Sequence, residues 1–315
     1  MRLFFIRHGE TEHNVAGLLA GVTDSRLTNH GVLQTQRLAT YLVDKRQLRF
    51  SQVFASDLQR ALRTATAICD VQSSNNKSSQ ITPTSLALIR ERDFGSFELL
   101  PWHRSQQARQ NDPVVADSEH KPKETKDEMK VRANAFLDDY LLPLLVVDEE
   151  SEQCVAVVSH GLFLAALWRA LLLRFKQATV SLKQDVILPG KSKPLEYVAA
   201  WSNTGFLELD IQHQPAKAVT NIEKSDDIST DTVPTFLNAT MQVCGINSKE
   251  HLMRLKRARG GLGSSASDDK QKRLDNFFKI SKPTTCSEHQ CGSKNCTNCC
   301  LTSANLPQHL NLFGP

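Results

Sequence analysis

A chain of 315 residues, 40% of them hydrophobic, can bury a core of enzyme size and leaves room for one large domain plus an appendage. Its net charge of +4 is too small at this length to attract nucleic acid through a global field, so no direct nucleic-acid partner is expected. Residues 3–6 are too short for a secretory h-region, and the longest apolar stretch, 162–175, is interrupted by Arg169; this reads as a soluble, intracellular chain with no membrane partner. Three of the eight cysteines (Cys69, Cys154, Cys244) are scattered and five crowd between Cys286 and Cys300, a distribution that suits reduced thiols in a reducing compartment.

The first predicted strand, 2–6, is the apolar run Leu3-Phe4-Phe5-Ile6, and it ends on Arg7-His8-Gly9-Glu10. A helix over about 31–45 and a strand over 52–55 follow, and a helix over 57–71 opens at Ser56-Asp57-Leu58-Gln59-Arg60. Leu58, Ala61, Leu62, Ala65, Ile68 and Cys69 form its apolar face. Ser56 with Gln59 three residues on has the form of a capping box, which would hold Arg60 in the first turn, where anions are attracted. Arg63 reads as a solvated surface charge. Beyond the apolar 86–89 comes Arg90-Glu91-Arg92-Asp93-Phe94-Gly95, whose glycine turn would let a loop dip into a crevice; taken alone, Glu91 reads as part of a surface ion-pair segment. A helix over about 127–145, a strand over 154–158, a helix over 161–175 and a strand over 205–211 complete the pattern, with Ser159-His160-Gly161 at the end of the second long apolar strand.

This alternation predicts a three-layer α/β domain over 1–213. Ligands of open α/β sheets bind outside the carboxyl ends of the strands, so His8 and His160 can meet across one crevice. The glycines after them admit a close ligand, and Arg7 supplies a planar fork of donors suited to phosphate oxygens. A carboxyl group is then needed to protonate a leaving oxygen and later deprotonate water, and Glu91 is the leading candidate, with Glu10 and Glu124 next.

Taken in order, Arg-His-Gly-Glu, Ser-Asp-Leu-x-Arg-Ala, Glu-Arg-Asp-Phe-Gly and Ser-His-Gly resemble the histidine phosphatase superfamily, in its phosphoglycerate-mutase-like branch, over residues 1–211. Asn14, the stretch 21–31 from Gly21 and Asn203-Thr204-Gly205 add to the match. The resemblance implies that His8 is a nucleophile forming a phosphohistidine, that Arg7, Arg60 and His160 bind the phosphoryl oxygens, and that Glu91 is acid and then base. It also implies substrate contacts from Asn14, Gly21 and Gly161. Fixed cations would balance the charge on the phosphoryl group, so neither metal nor other cofactor is expected.

The mutases of this family carry a long insertion with adjacent arginines that hold a second phosphate, and a polar residue at the position of Leu162. The span from Glu91 to His160 is short here and has no adjacent arginines. A phosphatase acting on a small phosphoester, with a sugar phosphate as the expected class, is therefore favoured over a phosphoglycerate mutase. A non-catalytic phosphate reader would need a damaged Arg, His or Glu, which the sequence lacks. Leu99 stands where these phosphatases usually have glycine, and Lys123-Glu124-Thr125 where Gly-Glu-Ser is common.

After residue 213 the composition turns to Ser, Asp, Lys, Thr and Gly, and 214–315 reads as a polar, largely disordered extension with a basic segment at 249–259. In it Gln271, Leu274, Phe277 and Phe278 have the spacing of the box by which proteins bind the replication sliding clamp, three apolar side chains forming one knob on a helical turn. Lys256-Arg257 and Lys270-Gln271-Lys272-Arg273 resemble a bipartite nuclear-import signal, so the expected location is cytoplasmic with a nuclear share. Cys286-x-x-His289 and Cys296-x-x-Cys299 have zinc-like spacing, but the short gap and leftover thiols favour a thiol-rich tail at 286–300 without metal.

Overall fold

Leu3 and Phe5 point into one hydrophobic core and Phe4 and Ile6 into another, and all four are fully buried. That is the period-two signature of a strand covered on both faces, and each such side chain contributes about 1.5–3 kcal/mol of burial. The computed structural model describes residues 1–75, 80–102, 121–146, 153–186, 194–197, 201–213, 236, 239–258 and 261–268. In chain order the main elements are β1 (Arg2–Arg7), α1 (Glu12–Ala16), α2 (Asn29–Thr40), β2 (Gln52–Ser56), α3 (Gln59–Asn75), β3 (Thr84–Leu86), α4 (Lys126–Phe136), α5 (Leu142–Val146), β4 (Cys154–Ser159), α6 (Gly161–Leu172), β5 (Val180–Leu182), β6 (Phe206–His213) and β7 (Ala239–Ser248). A π-helical turn, Tyr41–Lys45, extends α2, and another, Leu137–Leu141, joins α4 to α5.

The strands make one seven-stranded sheet in the order β3-β2-β4-β1-β6-β7-β5. β1, β2, β3 and β4 run parallel, and β6 is antiparallel to both β1 and β7. On one face α4 and α6 pack Met129, Ala133, Phe136, Phe163, Leu167 and Trp168 over Leu3, Phe5, Val155 and Val157. On the other, α2 and α3 pack Leu38, Ala61, Ala65 and Ile68 over Phe4, Ile6, Val53 and Val158. The result is the three-layer α/β architecture expected.

The boundary expected after residue 213 does not hold. β7, from the stretch read as polar extension, pairs with β6 from Phe206↔Ser248 to His213↔Ala239 and buries Ala239, Met241 and Val243. Its apolar residues alternate with polar ones behind a Ser- and Asp-rich stretch, which hid the strand. The three-residue strands β3 and β5 were likewise too short to show a period. Met1–Asp268 forms one compact unit.

The described part of the basic segment, 249–258, is also docked. Arg257 donates to Glu10 and to Ser264 Oγ, Arg37 Nη1 donates to Met253 O, and the first-turn amides of Asn29 and His30 on α2 donate to Ser265 O and Gly263 O. The box at 271–278, Lys270 to Arg273 of the import-like spacing and the cysteine-rich stretch 286–300 lie outside the described residues. Among the described residues no helix is long and apolar enough to cross a membrane.

Candidate active site

β1 and β4 are parallel neighbours at the centre of the sheet, in a register that pairs Arg7 with Ser159. The next residue on each strand is therefore a histidine, and the two emerge together at the carboxyl ends, with ring centroids 5.1 Å apart. Both are buried. His8 Nδ1 lies 2.7 Å from Gly9 O; a carbonyl only accepts, so the proton sits on Nδ1 and the lone pair on Nε2. Arg60 Nε donates to His160 Nδ1 at 3.2 Å, which places the His160 proton on Nε2, a buried donor with no partner. Burial first, then the charges of Arg60 and Arg7, holds His8 well below the ordinary imidazole value. Burial and Arg60 do the same for His160. Both rings are neutral at neutral pH.

Arg60 is 1% exposed in the first turn of α3, its Nη1 and Nη2 donating to Thr23 O at 2.9 Å and Gly21 O at 2.6 Å. Glu98 pins that loop by accepting from the amides of Val22 and Thr23, both at 2.8 Å. The Ser56–Gln59 capping box does not form: α3 begins at Gln59, whose amide donates to Asp24 Oδ1 at 3.0 Å, while Ser56 Oγ accepts from Leu58 N. A cap from a distant loop took the place of the local one. Arg7 Nη1 donates to Trp201 O at 2.5 Å, and its Nε is buried without a partner. Burial lowers both guanidiniums from their ordinary value, and the Glu91 carboxylate opposes this.

Glu91 is not part of a surface ion-pair segment. Its carboxylate accepts from the amides of Leu162 (3.2 Å) and Phe163 (3.1 Å) in the first turn of α6, and from Arg92 N at 2.9 Å. Arg7, His8, Asn14, Gly21, Arg60, Glu91 and Gly161 line one cavity of about 310 Å³. Asn14 Oδ1 accepts from Asn203 Nδ2, which also donates to His8 O, and Thr204 N reaches the carbonyls of Arg7 and His8. The other two carboxylates considered are engaged elsewhere: Glu10 with Thr28 and Arg257, Glu124 with Arg132.

Sequence reasoning passed over Trp201. Its indole Nε1–H is buried without a partner, and the residue lines the cavity together with Phe94, Trp102 and Leu18. Its place two residues before Asn203 was the only available signal. Arg7, next to His8 in the chain, His160, in ring contact with it, and Trp201, on the wall of the same cavity, thus each carry an unpartnered buried donor (Nε, Nε2 and Nε1), near a neutral imidazole with a free lone pair. Such an arrangement can hold a tetrahedral oxyanion and attack its central atom. Among the described residues no group of three His, Cys, Asp or Glu side chains gathers as metal ligands.

Residues 3–185 match the family model of the histidine phosphatase superfamily (branch 1). A probable phosphatase of Schizosaccharomyces pombe is 29% identical over 274 residues, covering 86% of this chain and 78% of the relative. The fructose-2,6-bisphosphatase TIGAR B of Danio rerio is 37% identical over 138 residues, covering 43% of this chain and 51% of its own. Adenosylcobalamin/alpha-ribazole phosphatase of Salmonella typhimurium is 37% identical over 99 residues, 31% of this chain and 44% of that protein. Among solved structures, a mycobacterial hydrolase superposes with a TM-score of 0.54 at 20% identity, over 79% of this chain and 99% of that one, a likeness of fold.

Proposed function

The chain belongs to the histidine phosphatase superfamily, and from that premise we propose that it is a metal-independent phosphatase that hydrolyses a small phosphomonoester through a phosphohistidine at His8. The observation that carries this reading is the tautomer of His8. With its proton held by Gly9 O, Nε2 presents a lone pair, and Arg7 Nε and His160 Nε2 are left as buried donors without a partner, while Arg60 fixes the His160 tautomer. In the first step Nε2 bonds to phosphorus as the ester P–O bond breaks, and the leaving oxygen takes a proton from the Glu91 carboxyl group. In the second, water attacks phosphorus, its proton passes to the Glu91 carboxylate, and the N–P bond breaks to release phosphate. The fixed guanidiniums and N–H donors offset charge on the equatorial oxygens throughout.

The sugar-phosphate class expected from the sequence is the one for which a relative is named, and that name belongs to the relative. Among the described residues nothing in the site favours transfer to a phosphoglycerate, the alternative read from the sequence. The test is brief incubation with a phosphorus-labelled ester and an acid quench or an alkaline quench: wild type should carry an acid-labile, base-stable label and release phosphate in the presence of a chelator, and His8→Ala should do neither. Equal labelling of His8→Ala would remove the assignment, and loss of turnover on chelation would remove metal independence.

A further inference from the structure

Two cavities meet at Glu91, and their walls differ in chemistry. The first holds the phosphate-facing set, and the other described residues of its wall are apolar or aromatic, among them Leu18, Phe94, Trp102, Leu162, Ala165 and Trp201. The second, of about 470 Å³, is charged, but its ions are already engaged. Arg90 holds Asp57 through two hydrogen bonds of 2.7 and 2.5 Å. Arg132 holds Glu124 and the carbonyls of Leu88 and Arg90, and Lys123 lies over the ring of Phe97. A bisphosphate would find no uncommitted described cation there for its second phosphate. A sugar in the first cavity would bring hydroxyls against the side chains of Leu162 and Phe94, which offer them no hydrogen bond.

Resting on the phosphatase reading above, we infer that the leaving group is an aryl or arylalkyl alcohol, so that the preferred substrate is an aromatic phosphomonoester rather than a sugar phosphate or a bisphosphate. Trp102, about half exposed, lines the cavity and offers it an aromatic face against which a flat ring can lie. Leu162 follows the capping contact of Glu91, so the apolar wall begins beside the carboxylate that would protonate the leaving oxygen. The indole N–H of Trp201 is a single donor suited to one ester oxygen and not to a ring of hydroxyls.

The experiment compares kcat/KM of the full chain on 2-phenylethyl phosphate, glycerol 1-phosphate and fructose 1,6-bisphosphate. The first two release primary alcohols, so ease of P–O cleavage is matched. An apolar pocket rewards added apolar groups by about tenfold or more, and 2-phenylethyl phosphate should lead glycerol 1-phosphate by at least about that factor. Trp102→Ala should cut the ratio about fivefold or more, and Trp102→Phe should keep most of it, since a ring remains. Leu162→Ser, read by the same ratio, is the second probe and should lower it as well. Phosphate release with glycerol 1-phosphate or the bisphosphate equal or ahead would overturn the inference and leave the phosphatase reading standing, as would ratios unmoved by Trp102→Ala and Leu162→Ser. No phosphate release from any of the three esters, with no label on His8, would overturn both.

Discussion

Arg60 and His160, one hundred positions apart, are joined by a hydrogen bond of 3.2 Å from the guanidinium Nε to the imidazole Nδ1. One contact thereby orients the arginine and selects the histidine tautomer that offers an N–H toward the site. Removing either partner disturbs the other. Arg60→Ala and His160→Ala should each lower kcat/KM by about a hundred- to a thousandfold, the range for one donor of a preorganised anion hole. The double variant should lose much less than the product of the two. Steady-state kinetics of the three variants check this, and a fully multiplicative loss would mean that the contact does not couple them.

Glu91 both faces the cavity and receives the amides of Leu162 and Phe163. Glu91→Gln keeps one oxygen, enough for Phe163 N and Arg92 N, but turns an NH2 toward Leu162 N, and it cannot exchange a proton. The expected result is a fall in kcat of about a hundred- to ten-thousandfold with KM nearly unchanged, and a modestly lower melting temperature because one α6 amide loses its acceptor. An unchanged kcat would pass the proton to another group.

The nucleophile must be neutral, and burial together with Arg60 and Arg7 holds His8 well below the usual imidazole range. Protonation at low pH removes the lone pair, so activity is lost as pH falls through the pKa in the folded enzyme. The acid limb of kcat/KM, corrected for ionisation of the substrate, should therefore lie below pH 6.5, and activity should persist at pH 6. A limb centred at 6.5 or above would contradict the buried, cation-flanked setting.

His251 lies outside the proposed chemistry and reports on stability. Its Nε2 is 2.9 Å from Thr204 Oγ1, its ring stacks near Phe206 and Tyr41, and burial pushes it down to about 4. The unfolded chain takes up this proton near pH 6.5, whereas the folded chain does so only near 4. The associated stability is present above 6.5 and declines by about 3 kcal/mol as pH falls toward 4. His251→Phe keeps the stack and cannot titrate, so its urea midpoint should fall less between pH 7 and pH 4.5 than that of wild type. Parallel curves would exclude His251 as a contributor.

Leu99 takes a left-handed backbone with φ of 62° and is about half exposed, so it carries the cost of that conformation with little burial in return. The chain reverses here, with Leu99 N on Leu19 O at 2.7 Å. Leu99→Gly should raise unfolding free energy by about 1 kcal/mol, read by urea denaturation, because glycine adopts this region without steric penalty. A destabilised variant would show that the side chain contributes packing beyond its exposure.

The sequence by itself determined the α/β alternation, the apolar strands that end on His8 and His160 and the place of Arg60 in the first turn of a helix. Each is a local matter: side-chain period and the residues that follow a strand are set by neighbours a few positions away. Tertiary structure alone decided the pairing of Arg7 with Ser159, which puts the two histidines side by side, and the replacement of a Ser56–Gln59 cap by Asp24. It also decided the commitment of Glu10 to Arg257, the recruitment of β7 beyond the expected boundary and the entry of Trp201 into the cavity wall. These depend on which distant groups compete for the same buried donors and acceptors. A hydrogen bond to a residue one hundred positions away leaves no periodic trace in the chain, because its energy is realised only when packing excludes water from both partners.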